Sequence, residues 1–196
     1  MADPNIKAQF RTGLVDEELY KFDKYAHAVT VISEPHRMNH DGFMQSVTYK
    51  RTALADAASQ DFLLAVPALT WPHLNKAMIR IGRGDVDILA YEGPTTTAAG
   101  TVLTPFNTNR SSSNTPNMVI TRDPTVTVVG TLMQHQWLPP TIAGTGGSAA
   151  GVSEAEAGEE WLLAPDTDYL WRITNESGAA VDLAIEILWY ELDYYD

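Results

Sequence analysis

Cysteine is absent from all 196 residues, which excludes disulfides, thiolate nucleophiles and cysteine-ligated metal centres. Lysine does not occur after Lys76. No apolar run approaches the ~18 residues that a membrane-spanning helix needs, and nothing after Met1-Ala2-Asp3-Pro4 reads as the apolar stretch of a secretory leader. These absences set the expectation of a protein made in the cytoplasm, and used there or assembled there into something larger, with no membrane partner. Its durability must then come from packing and from association of copies.

What is present is an ordinary apolar fraction, 44%, enough for a globular core and against general disorder. The formal charge of −12 is unevenly placed: 8 basic and 9 acidic residues lie up to Lys76, and 5 basic and 16 acidic after it. Such an acidic surface repels phosphate backbones, so nucleic acid is an improbable partner for the C-terminal two-thirds. It favours a basic or mixed protein surface instead.

Residues 1–39 show no clean periodicity. Leu14 to Phe22 is a possible short amphipathic helix and Ala28 to Ile32 a possible strand, with charges of both signs mixed among Phe10, Tyr20, Phe22 and Tyr25. This reads as an N-terminal arm that packs on a neighbour through those four aromatics; the alternative is an ordinary first pair of strands. From Phe43 the period becomes two. Val47, Tyr49 and Arg51 alternate with Thr48, Lys50 and Thr52, and Phe62 to Val66 is an apolar run, expected to be buried on both faces, that stops at Pro67. Further strands are predicted at His73–Ile81, Ile88–Tyr91, Met118–Thr121, Thr125–Val129, Gly130–Trp137, Trp161–Leu163, Tyr169–Ile173 and Val181–Leu192.

Between them, Glu92-Gly93-Pro94 enforces a turn, and the Thr/Ala run to Gly100 followed by Thr101-Val102-Leu103 predicts a hairpin with a long tip. Asn107 to Pro116 is expected to be a polar linker too poor in apolar residues to pack. Pro139 to Gly158 is expected to be a mobile loop, within which Thr141 to Ala157 is dispensable for folding. Many short strands, turns rich in Gly, Pro, Asn and Asp, and almost no helix predict an all-β antiparallel sandwich over 40–196, with Phe62, Leu64, Ile88, Val126, Leu170 and Ile185 buried.

Tyr91-Glu92-Gly93-Pro94-Thr95, Leu103-Thr104-Pro105, Asn107, Asn109-Arg110 and Ser112-Ser113-Asn114-Thr115 together resemble a family of virion structural proteins of tailed bacteriophages. Glu160-Trp161, Leu163-Ala164-Pro165-Asp166-Thr167, Tyr169-Leu170, Arg172-Ile173-Thr174-Asn175 and Leu188-Trp189-Tyr190-Glu191 continue the likeness, which spans roughly Asn39 to Glu191. The resemblance implies a jelly roll rather than another sandwich. It also implies a non-enzymatic decoration or cement protein on the outside of the head, bound to the major capsid protein, with a collar, fibre or tail-associated module as the alternative. Symmetric shell sites make a homo-oligomer, a trimer, the expected form.

Other chemistry gives way to blander readings. His36, His40 and Asp41 have metal-ligand spacing only on a helix, and Pro35 and Gly42 argue against one there. Asp166 and Asp168 have the composition of a turn before a strand, although two carboxylates two apart suit glycoside cleavage. The acidic tip Glu154, Glu156, Glu159 and Glu160 lacks the spacing of a calcium loop. Most of Trp161, Tyr169, Trp171, Trp189, Tyr190, Tyr194 and Tyr195 are at alternating strand positions, which suits a core or subunit interface better than a sugar platform. No cofactor, metal or catalytic site is expected.

Overall fold

The computed structural model describes residues 20–23, 28–31, 33–81, 85–138 and 160–193. In chain order the elements are β1 (Tyr20–Asp23), β2 (Ala28–Val31), α1 (Glu34–Asp41), β3 (Gln45–Leu54), β4 (Ser59–Val66), β5 (Thr70–Ile81), β6 (Val86–Glu92) and β7 (Thr95–Ala98). They continue with β8 (Thr101–Val102), β9 (Phe106–Asn107), β10 (Val119–Arg122), β11 (Thr125–Val128), β12 (Thr131–Leu138), β13 (Trp161–Leu162), β14 (Thr167–Asn175) and β15 (Val181–Asp193).

Two antiparallel sheets carry the fold, ordered β12-β6-β14-β4-β10-β8 and β13-β5-β15-β3-β9. The chain is an all-β sandwich. Four pairings nest inside one another: β3 with β15, β4 with β14, β5 with β13, and β6 with β12. Between the sheets, inward residues at every second position close the core. Phe62, Leu64 and Val66, Ile88 and Ala90, and Tyr169, Trp171 and Ile173 meet Val47, Leu74, Ile79, Leu183, Ile185, Ile187 and Trp189 from the other side. Burying side chains such as Phe62 and Ile173, each fully enclosed, contributes ~1.5–3 kcal/mol apiece. In the Phe62–Val66 run, Phe62, Leu63, Leu64 and Val66 are buried, while Ala65 on the outer face is half-buried.

The arch over the six-stranded sheet was not foreseen. Thr95–Ala98 is no hairpin tip: it is β7, and it pairs with β11, while β8 pairs with β10 rather than with β6. Gly93-Pro94 does turn the chain between β6 and β7, with Gly93 at φ 67°, but the threonines that follow are β-branched and extend into a strand rather than a loop tip. Since β6 and β10 are separated by β14 and β4, the β7–β11 pair that springs from their ends passes over those two strands. Leu63 and Leu170, on the outer side of β4 and β14, are enclosed although they stand outside the inter-sheet core. Val126, expected in that core, lies on the arch and is half-buried; the other five residues expected to be buried are buried.

A helix does form at residues 34–41. Pro35 occupies the first turn, where its missing N–H is no loss, and Gly42 ends the helix at φ 80° with its N–H on the Asn39 carbonyl, 3.2 Å. Both residues break a helix in its interior, but at these positions they are its start and stop signals. Met38 packs with Met44 and Tyr190, against which Leu188 and Leu192 also lie, so α1 covers the outer face of β15. Before it, β1 and β2 form a separate two-stranded sheet, which replaces the helix expected to run through Phe22. Phe10 and Tyr25 lie outside the described residues, as do residues 139–159 with their expected dispensable loop. Of Tyr20 and Phe22 only the strand placement is described.

Candidate interaction surfaces

The stretch expected to be a loose linker is tied down by side-chain bonds to backbone. The Gly42 carbonyl accepts from Asn107 Nδ2 at 2.6 Å, Ser112 Oγ at 3.1 Å and Asn114 Nδ2 at 3.1 Å. Asn109 Nδ2 donates to the His40 carbonyl at 2.9 Å, and Thr108 Oγ1 to Asn39 Oδ1 at 2.6 Å. Asn and Ser can replace absent apolar contacts in this way, because their short side chains reach neighbouring peptide groups. The cap of α1 and the 107–114 loop are therefore one unit. Replacing Asn107, which is buried, by Ala is expected to cost about 2 kcal/mol in urea unfolding, since carbonyl partners and the Asn109 N–H lose their bonds.

That loop walls a cleft of about 580 Å³ at the end of the sandwich where β8 and β9 lie. Trp189 and Gln45 line it with Phe106, Val119, Arg110 and Ser113. Glu191 steadies one wall: its carboxylate accepts from the backbone N–H of Asn117 at 2.7 Å and Met118 at 2.9 Å, and from Trp189 Nε1 at 3.0 Å. Phe106 and Val119 keep 40% and 42% of their surface exposed there, so the cleft has an apolar lip.

No protein-family model and no curated protein matches the chain.

The remaining candidate residues are placed as follows. On α1, His36 and His40 face the same way with Nε2 atoms 2.9 Å apart, while Asp41 is bonded to Arg37 at 3.2 Å instead of joining them. Among the described residues no three His, Asp or Glu side chains are grouped to hold a metal. Asp166 sits in a turn at φ 53°, its N–H on the Pro67 carbonyl, and Asp168 is the second residue of β14, its carbonyl accepting from Gly93 N–H at 2.9 Å. Burial, and then the charge of Asp166, raise the Asp168 pKa. Tyr169, Trp171, Trp189 and Tyr190 are buried and offer no stacking platform, whereas Trp161 is half-buried. Glu154, Glu156 and Glu159, and Tyr194 and Tyr195 of the aromatic group, lie outside the described residues.

Glu160 does have partners: it accepts from Tyr190 Oη at 2.9 Å and lies 2.9 Å from His73 Nδ1, and His73 stacks on Tyr190 with ring centroids 4.6 Å apart. Burial first, then the bond to Glu160 and its charge, push the Tyr190 phenol far above its ordinary value of 10.0. A raised pKa in the folded state means that the folded chain keeps a proton which the unfolded chain releases. Stability from this group is thus present below pH 10 and is lost as pH rises beyond it. Tyr190→Phe is expected to lower stability by about 1–2 kcal/mol at pH 7 and to make the alkaline decline shallower, with the raised phenol of Tyr169 still contributing. Urea midpoints at pH 8 to 11 for both proteins check this.

The edge strand β12 was not singled out by sequence reading. Thr131 to His135 and Trp137 are exposed, with Leu132 at 51%, Met133 at 45% and Trp137 at 55%. Three large apolar side chains are therefore exposed on one strand of eight residues.

Proposed function

We propose that the protein is a structural component of a tailed-phage particle, a decoration protein that binds the major capsid protein on the outer surface of the head and holds shell subunits together. The strand order is the observation that carries this reading. The nested pairing β3 with β15, β4 with β14, β5 with β13 and β6 with β12, distributed over the sets β3-β15-β5-β13 and β4-β14-β6-β12, supports a jelly-roll reading of the sandwich. That scaffold is common in viral shells. The likeness to virion structural proteins rests on residues that the fold uses: Gly93-Pro94 springs the arch, and Asn107, Asn109, Ser112 and Asn114 lock the loop to α1.

Charge supports the same reading. The acidic C-terminal part suits the solvent side, where net charge keeps particles apart, and the mixed-charge, aromatic N-terminal part suits the shell. Individually weak contacts to several capsid subunits would add through multivalency. No catalytic step is assigned to the protein, and its place is the virion.

A tail-associated, carbohydrate-binding module is the second reading, favoured by the cleft with Phe106 and Arg110 at its mouth. Mixing purified protein with undecorated heads and pelleting them separates the two. Saturable co-sedimentation is expected of a decoration protein; glycan binding in the cleft without head binding supports the second reading.

A further inference from the structure

We propose that β12 is a self-association edge, at which a second copy adds its own β12 antiparallel to extend the six-stranded sheet across a two-fold axis. The proposal stands apart from the assignment to a virion and holds wherever the protein acts. Among the described strands β12 pairs only with β6, so one row of its peptide N–H and C=O groups faces outward. A free edge is a template for another strand, and proteins that avoid such pairing place lysine, proline or other charges along it. The eight residues Thr131–Leu138 contain none of Lys, Arg, Asp, Glu or Pro. In a chain of net charge −12, an uncharged edge is where a second identical chain meets little repulsion.

The side chains fit a copy of themselves. A bulge at Met133 shifts the register, since Leu132 lies opposite Tyr91 and Gln134 opposite Ala90. Alternation then puts Leu132, His135 and Trp137 on the outer face and Gln134, Gln136 and Leu138 on the core face, where Leu138 packs against the core. Beyond the bulge, Gln134 to Leu138 is regular. An antiparallel pair centred on Gln136 sets each Trp137 opposite the partner's His135 on the outer face and each Leu138 opposite the partner's Gln134. His135 is held by Asp87 at 3.1 Å and Trp137 Nε1 donates to Asp85, so both rings are fixed before contact. Fewer rotamers are left to freeze on association. Pairing over Gln134 to Leu138 alone is short beside the ~800 Å² per partner of a standard stable complex, so the dimer is expected to dissociate on dilution.

Sedimentation velocity on the full chain over a dilution series tests this, beside Trp137→Glu and Gln136→Cys variants. The wild type is expected to reach the mass of two chains reversibly. Trp137→Glu, with an unchanged far-ultraviolet spectrum, should weaken association about 30-fold or more. Because the chain has no native cysteine, oxidised Gln136→Cys should run as a covalent dimer without reductant, a result that does not depend on how Trp137→Glu folds. A wild type that stays monomeric, an oligomer indifferent to Trp137→Glu, or a Gln136→Cys chain that forms no covalent dimer overturns the proposal.

Discussion

A Gly130→Ala variant is expected to lose about 3 kcal/mol or more of folding stability, a large part of what a domain of this size holds. Gly130 has φ 89°, and a Cβ built on it would stand 2.2 Å from the Glu92 carbonyl oxygen and 2.9 Å from the Gly93 carbonyl carbon. These are backbone atoms, so relief requires the chain itself to move. Gly100 has the same problem on the other side of the arch, with the Arg122 oxygen at 2.2 Å and the Pro124 nitrogen at 2.8 Å. Each glycine therefore marks a crossing: Gly130 passes the bend from β6 into β7, and Gly100 the bend from β10 into β11. Gly178 supplies the control. It too has positive φ, 76°, but nothing lies within 4 Å, so Gly178→Ala should cost only about 1 kcal/mol. Urea midpoints of the three variants check the contrast; equal losses would mean that backbone conformation, not crowding, sets the cost.

Removing residues 1–32 should abolish attachment while leaving a folded sandwich. The truncation stops before α1 because Met38 is enclosed with Met44 and Tyr190, and cutting at Asn39 would open that cluster as well as the Gly42 cap. Residues 1–32 carry Phe10, Tyr20, Phe22 and Tyr25 with Lys7, Arg11, Lys21 and Lys24, a composition suited to anchoring on a partner of mixed charge. Circular dichroism should keep its β-sheet signature, and binding to undecorated heads should fall below detection. Full-affinity binding by the shortened chain would move the attachment element onto the sandwich.

Much of the sandwich is visible in the chain because its core strands obey simple rules. Phe62 to Val66 is apolar on both faces and stops at Pro67, and Leu183, Ile185, Ile187 and Trp189 alternate cleanly along β15. What the pattern does not carry is partnership. The neighbours of β15 are β3 and β5, more than a hundred residues away in sequence, and periodicity holds no information about such distant pairing. Local signals with two meanings account for the other differences. Pro35 and Gly42 break a helix in its middle yet begin and end one at its borders; a Thr-rich run serves as loop or strand according to whether a partner such as β11 arrives. Asn107 to Asn114 looks unable to pack when only apolar contacts are counted, whereas its bonds to Gly42 and His40 do the packing. Exposure of Trp137 depends on β12 being an edge, and only the assembled sheet makes it one.

The most direct test of the central proposal is cryo-electron microscopy of the phage particle proposed to carry this chain, with the sandwich fitted to the map. The account predicts symmetric density for the sandwich on the outer surface of the head, with residues 1–32 running against capsid subunits and the acidic C-terminal part turned to solvent. Density for the sandwich confined to the tail or collar, or none on the particle, would contradict it.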